Sequence, residues 1–209
     1  MKNVHTANYF YYAVGIVILT LGVTFTIQSD LGVSPFDALL VGLSTDIGLT
    51  IGSWEIIIAM ILIGCNSILN QQKPEFIGLL TAFITGISLD LWRFLLIDFV
   101  TPDLWISKIV CFSIGLIVAG LGTAVYLQVN FAPIPVDRFM LIICERTKMN
   151  IGLSKTCIYL LFLSLSFLFN GPIGIGTILA VCFGGPILHY FMTFTHFIQK
   201  QPSSKRAST

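Results

Sequence analysis

Polar and acidic residues able to bind a solute or an ion recur in this chain as two sets one hundred residues apart. Gln28, Asp30, Ser34 and Asp37 form the first set, and Gln128, Asn130 and Asp137 form the second, with Pro35 and Pro135 at the same offset. A carboxylate can carry a proton or balance a cation, and an amide can donate and accept hydrogen bonds at once. These residues are therefore candidates for binding a solute or an ion. A structural role competes at each position. Ser34-Pro35-Phe36-Asp37 spells a helix start, with Ser as N-cap, Pro in the first turn and an acid three residues after the cap. Capping alone would account for Asp37 and Asp137, whose charge gains about 0.3–1 kcal/mol from the helix dipole. Gln28 and Gln128 could equally be hydrogen-bond glue between helices.

Asp90, in TGISLDLWRF, is the candidate that lacks a partner in the other set, its counterpart being Leu188. An acid inside an apolar helix costs about 3 kcal/mol or more unless it is paired or hydrated. Arg93, three residues on, is near enough on a helix to pair with it. The alternative is a proton- or cation-coupling carboxylate.

The elements that must position these residues are membrane helices. Of 209 residues, 56% are hydrophobic and only 10% charged, with a mean hydropathy of +0.91. A bilayer demands about 20 apolar residues per span, and runs of roughly that length cover 9–27, 54–69, 76–96, 104–127, 153–169 and 173–194. The expected architecture is all-α and polytopic. The N-terminus has no small-residue cleavage site, so its first apolar run is expected to stay as a helix. Segment 198–209 is expected to be a disordered cytoplasmic tail.

The polar sets belong to a wider duplication. Leu21-Gly22 recurs as Leu121-Gly122, Ile51-Gly52 as Ile151-Gly152 and Asn70 as Asn170, while Gly78, Ala82 and Gly86 return 98 residues later as Gly176, Ala180 and Gly184. Repeat 1 covers about 8–98 and repeat 2 about 104–197 of a single membrane domain. Each half reads as one long helix, one short helix and two more long helices, giving six long and two short. About 12 residues in a short helix rise only about 18 Å, too little for a hydrocarbon core of about 30 Å. These segments either re-enter or cross as stubby helices.

Three crossings per half would invert the second repeat, and four would keep the repeats parallel. The excess of Lys and Arg on the cytoplasmic side does not decide, since either count puts nine inside and two outside. Charge reversal does favour inversion. Residues 30–55 carry Asp30, Asp37, Asp46 and Glu55 and no base, whereas the equivalent segment carries Arg138, Arg146, Lys148 and Lys155 beside Asp137 and Glu145. Inverted repeats with both termini cytoplasmic are the expectation.

LGVTFTIQSDLGVSPFDALLVGLSTDIGLTIGSWEIIIAMIL, IGLLTAFITGISLDLW and GPIGIGT together resemble the YczE/YyaS/YitT family of bacterial integral membrane proteins, in its YczE-like branch. The resemblance implies a permease-like protein of the bacterial cytoplasmic membrane. It supplies no substrate.

Other chemistries find little support. The five Cys lie singly in apolar runs with no CxxC spacing, and the three His are dispersed, so neither a metal site nor a cofactor is expected. No HExxH or GxSxG pattern occurs, and GPIGIGT lacks the strand and Lys of a phosphate-binding loop. We expect no enzyme and no nucleic-acid partner. The expected function is small-solute secondary transport by alternating access, with an unknown solute and a proton or monovalent cation as driver. A membrane accessory protein for a partner, or a channel, is the alternative. Outside the membrane the one partner the size suggests is a second copy, in a homodimer.

Overall fold

The computed structural model describes the backbone of residues 2–129, 133–149 and 151–200, and the side chains of 9–129, 133–149, 154 and 156–194. The described residues form helices and no strand: α1 (Lys2–Gln28), α2 (Pro35–Asp46), α3 (Ile51–Asn70), α4 (Ile77–Leu96), α5 (Trp105–Gln128), α6 (Pro135–Thr147), α7 (Ile151–Leu168) and α8 (Ile175–Lys200). Six long and two short helices stand where the apolar runs and the two Pro-led starts put them. Five of them (α1, α3, α4, α5 and α8) are long and apolar enough to cross a membrane. The sixth expected span, α7, has 18 residues, of which Thr156–Leu168 form a shorter apolar helix. The expected tail is partly helical, since α8 continues to Lys200, and 201–209 lie outside the described residues.

Local chemistry sets the helix ends. The Ser34 side chain accepts from the Asp37 amide at the start of α2, with Pro35 in its first turn, and Thr50 accepts from the Ser53 amide at the start of α3. Between them Gly48 (φ 98°) and Leu49 (φ 68°) adopt the left-handed conformation that stops α2. Lys148 does the same after α6, at φ 56°.

Helix directions follow from the contacts. Gly15 lies against Tyr126 and Gly22 against Ala119, and beyond the helix ends Lys108 Nζ is 2.8 Å from Asp30 Oδ2. α1 and α5 therefore run antiparallel. Tyr12 bonds Thr81 and Trp92 Nε1 donates to the Val17 carbonyl at 3.0 Å, so α4 runs parallel to α1. Gly52 faces Gly86 and Asp90 while Gly78 approaches Ile63, so α3 opposes α4. Phe112 meets Gly176 and Ile187 meets Gly120, making α8 parallel to α5. The start of α3 thus lies at the same end of the molecule as the finish of α1, and α2 leaves from and returns to that end.

The short helices pack across the molecule. α2 lies on α7, with the Phe36 and Phe162 rings edge-on at 5.1 Å and Asp46 bonded to Asn170 Nδ2 at 2.9 Å. α6 lies on α3, where Asn66 Nδ2 donates to the Pro135 carbonyl at 3.1 Å. Leu39, Leu40, Leu62, Leu89, Ile158 and Phe162 join these helices in the central apolar cluster.

Asp90 does not pair with Arg93, which corrects one of the two expected roles. Its Oδ1 accepts from the Gly52 amide at 2.9 Å, and no ion pair of Arg93 occurs among the described residues. The reason is geometric: the start of α3 presents orphan amide donors, and the Gly52–Gly86 contact brings one of them beside Asp90. Asp90 is thus a cap supplied by a neighbouring helix. Asp90→Ala is expected to lower stability by about 0.5–2 kcal/mol, the usual worth of such a cap, while Arg93→Ala leaves it unchanged. Thermal unfolding of the purified protein in detergent checks both.

Candidate ion-binding site

Three acids stand on three helices that pack into one central cluster. Asp37 is in the first turn of α2, where Ser34 Oγ donates to its Oδ2 at 2.6 Å and accepts from its amide at 3.3 Å. Asp137 holds the equivalent place in α6, and the Tyr126 hydroxyl donates to its Oδ2. The third is Glu55, one turn into α3 and only 2% exposed. The charges of Asp37 and Asp137 both act on it. Glu55 itself makes no hydrogen bond or ion pair with a described residue.

Hydroxyls extend the cluster. Tyr126 is 1% exposed and meets Tyr12 edge-on, ring centres 6.3 Å apart, and Tyr12 bonds Thr81. Thr85 then donates to the Thr81 carbonyl at 2.9 Å. A line of polar side chains therefore runs from Asp137 through the seam between α1, α4 and α5. Among the described residues three buried oxygens lack a hydrogen-bond partner: Asn66 Oδ1 on α3, and Ser154 Oγ and Ser166 Oγ on α7.

Of the residues singled out from the sequence, Ser34, Asp37 and Asp137 gather here. Asp30 does not. Its side chain is 81% exposed and paired with Lys108 at one end of the molecule, because it sits in the linker after α1 with φ 55°. Gln28 and Gln128 end α1 and α5, half-buried. Asp90 is occupied as a cap, and Asn130 lies outside the described residues. Glu55 was visible in the sequence as an acid two residues into the apolar run 54–69 with no Lys or Arg three or four positions away. Counted only as one of several charges near a helix start, it lost its distinction from a boundary acid.

Two clefts open at opposite ends of the molecule. One is lined by Asn66, Asn70, Glu75, Pro135 and Arg138, the other by Asp30, Gly32, Trp105, Pro172 and Gly174. An ion pair borders each: Arg138 to Glu75 and Lys108 to Asp30, both at 2.8 Å. Each pair joins a residue before position 100 to one after it. Among the described residues no three His, Cys, Asp or Glu are grouped closely enough to hold a metal ion.

Among the described residues, eight helices, five of them apolar enough to span a bilayer, define a multi-pass helical membrane protein. Residues 6–193 match the model of a family of unknown function, DUF6198, and the chain belongs to that family. It is 55% identical over 194 residues to the uncharacterized protein YyaS of Bacillus subtilis, covering 92% of this chain and 96% of that one. Similarity to the uncharacterized membrane protein YczE of the same organism is 33% over 191 residues, covering 91% and 87%. An uncharacterized protein of Haemophilus influenzae is 26% identical over 192 residues, 90% of this chain and 84% of its own. No solved structure matches the chain.

Proposed function

We propose that the protein is a small-solute secondary transporter of the bacterial cytoplasmic membrane, built from two inverted repeats that alternate access to a shared site. In this reading α1, α3, α4, α5, α7 and α8 cross the bilayer, α2 and α6 re-enter from opposite faces, and both termini are cytoplasmic. Several contacts support the inversion. Gly22 against Gly115 is mirrored by Gly122 against Gly15, as a two-fold axis through the α1–α5 seam requires. The crossed packing of α2 on α7 and α6 on α3 repeats the relation.

The observation that carries the reading is the packing of both short helices, through Phe36 of α2 and Val136 of α6, against one central cluster that includes Ile51 and Ile58 on either side of buried Glu55. Short or broken helices meeting at a repeat interface are the usual binding architecture of transporters. The two end clefts, each beside an ion pair that joins the halves, are the expected gates.

Two measurements test this. In a Cys-free background, Gln72→Cys in the α3–α4 linker is expected to resist a membrane-impermeant maleimide in intact cells and to react after lysis; labelling in intact cells would contradict the topology. For alternating access, Asp30→Cys and Lys108→Cys are bridged by a short bifunctional maleimide while the reactivity of Asn70→Cys at the opposite cleft is followed. Closing one end is expected to raise labelling at the other. A static scaffold would give the same rate with and without the bridge.

A further inference from the structure

We propose that the cleft between α3, α4 and α6 binds a small carboxylate that also carries a hydrogen-bond donor, as a hydroxy acid or an amino acid does. The proposal goes beyond the transporter reading and does not depend on it, since binding is expected whether or not the ligand is moved.

The observation that points to a ligand is an acceptor left empty in the cleft wall. Asn66 lines the cleft and is 7% exposed. Its Nδ2 donates to the Pro135 carbonyl at 3.1 Å, and because a carbonyl can only accept, this bond fixes which end of the amide is the oxygen. Among the described residues that oxygen, Oδ1, has no partner. A buried polar atom without a hydrogen bond is costly to the fold. A ligand N–H or O–H would remove that cost.

The rest of the wall selects negative charge. Arg138 and Lys73 line the cleft against a single acid, Glu75. Lys73 has no ion pair among the described residues. Arg138 Nη2 meets Glu75 Oε1 at 2.8 Å, but the Glu75 side chain is 55% exposed. An ion pair so open to water is screened and weak, so a ligand carboxylate can replace Glu75 on the guanidinium fork at small cost. The starts of α4 and α6 meet at the same place, where a Cβ on Gly78 would fall 3.4 Å from Pro135 Cγ. Neither start has a side-chain cap bond, and their positive ends add to the preference for an anion. Asp137, in the first turn of α6, bonds Tyr126 and is not among the cleft residues. About 370 Å³ of space, part of it open to solvent, keeps the ligand to a few carbons.

The test follows thermal unfolding of the purified full chain in detergent as sodium glycolate, sodium acetate or glycine is added, with NaCl holding the ionic strength constant. A ligand that binds only the folded state raises Tm saturably. Glycolate or glycine is expected to do so, and the one that acts tells whether the donor is a hydroxyl or an amine. Acetate lacks the donor and is expected to need about tenfold more for the same rise, equivalent to about 1.4 kcal/mol. Arg138→Gln is expected to abolish the rise, and Lys108→Gln, at the opposite cleft, to keep it. Glu75→Gln removes the competing carboxylate and is expected to lower the half-saturating concentration of glycolate. Should Arg138→Gln not fold, Lys73→Gln, in the exposed α3–α4 linker, is expected to weaken the same response. The proposal is overturned if neither glycolate nor glycine raises Tm in the wild type or in Glu75→Gln, which would leave the Asn66 oxygen to water. It is also overturned if acetate matches them, or if Arg138→Gln and Lys73→Gln respond as the wild type does. The bridging experiment above uses no added solute, so alternating access and ligand binding can fail separately.

Discussion

Gly22→Leu is expected to prevent the protein from assembling, whereas Gly64→Leu is expected to be tolerated. α1 and α5 meet along a seam where a Cβ on Gly22 would fall 2.6 Å from the Gly115 carbonyl oxygen and 2.7 Å from Ala119 Cα. The obstacles are backbone atoms, which cannot rotate away as a side chain can. Membrane helices associate largely through such close packing, because burying apolar surface gives little advantage where lipid is equally apolar. Forcing a side chain into a packed seam costs about 1–3 kcal/mol, occasionally more, and Leu at this position adds four carbons where even one does not fit. Gly64 has nothing within 4 Å of its added Cβ, so its substitution faces lipid or open space. Size-exclusion chromatography of green-fluorescent fusions in mild detergent reads the outcome: a symmetric peak for Gly64→Leu, aggregate or no peak for Gly22→Leu. Equal peaks would mean that the α1–α5 seam opens without loss.

The second large effect is expected at Tyr126. The side chain is almost fully buried with Tyr12, Ile16 and Ile134, lies against Gly15 and bonds Asp137. Removing a large buried aromatic ring costs about 3–5 kcal/mol. Tyr126→Ala is therefore expected to lose most of the stability of a chain of this size. Tyr126→Phe keeps the ring and removes the hydroxyl, a loss of about 1.5–3 kcal/mol for a hydrogen bond to a charged group. Unfolding monitored with a thiol-reactive dye at the native Cys orders wild type, Tyr126→Phe and Tyr126→Ala by falling midpoint. A Tyr126→Phe midpoint equal to wild type would remove the hydrogen bond from the account of how α6 is held.

These two sites differ in how far the sequence announced them. The glycines of the α1–α5 seam stand in register at 15 and 115 and at 22 and 122, so close helix contact was legible, though not which glycine meets which. Tyr126 carries no motif. Its importance comes from lying where α1, α5 and α6 meet.

The sequence by itself determined the spans, the short helices and their starts. Hydropathy over about 20 residues and the Ser34-Pro35-Phe36-Asp37 cap are local properties that act within one or two turns. It also marked Asp37 and Asp137 as a pair, through their common offset and common place in the helix start. Only the tertiary structure decided what these acids face. Glu55 becomes a buried carboxylate with no hydrogen-bond partner among the described residues because α2 and α6 pack across the molecule around α3. Asp90 becomes a cap because two glycines let α3 and α4 touch, and Asp30 leaves the site because its linker turns it outward to Lys108. Charge balance inside a membrane depends on which helices are neighbours, and neighbours distant in sequence are set by packing rather than by any local pattern.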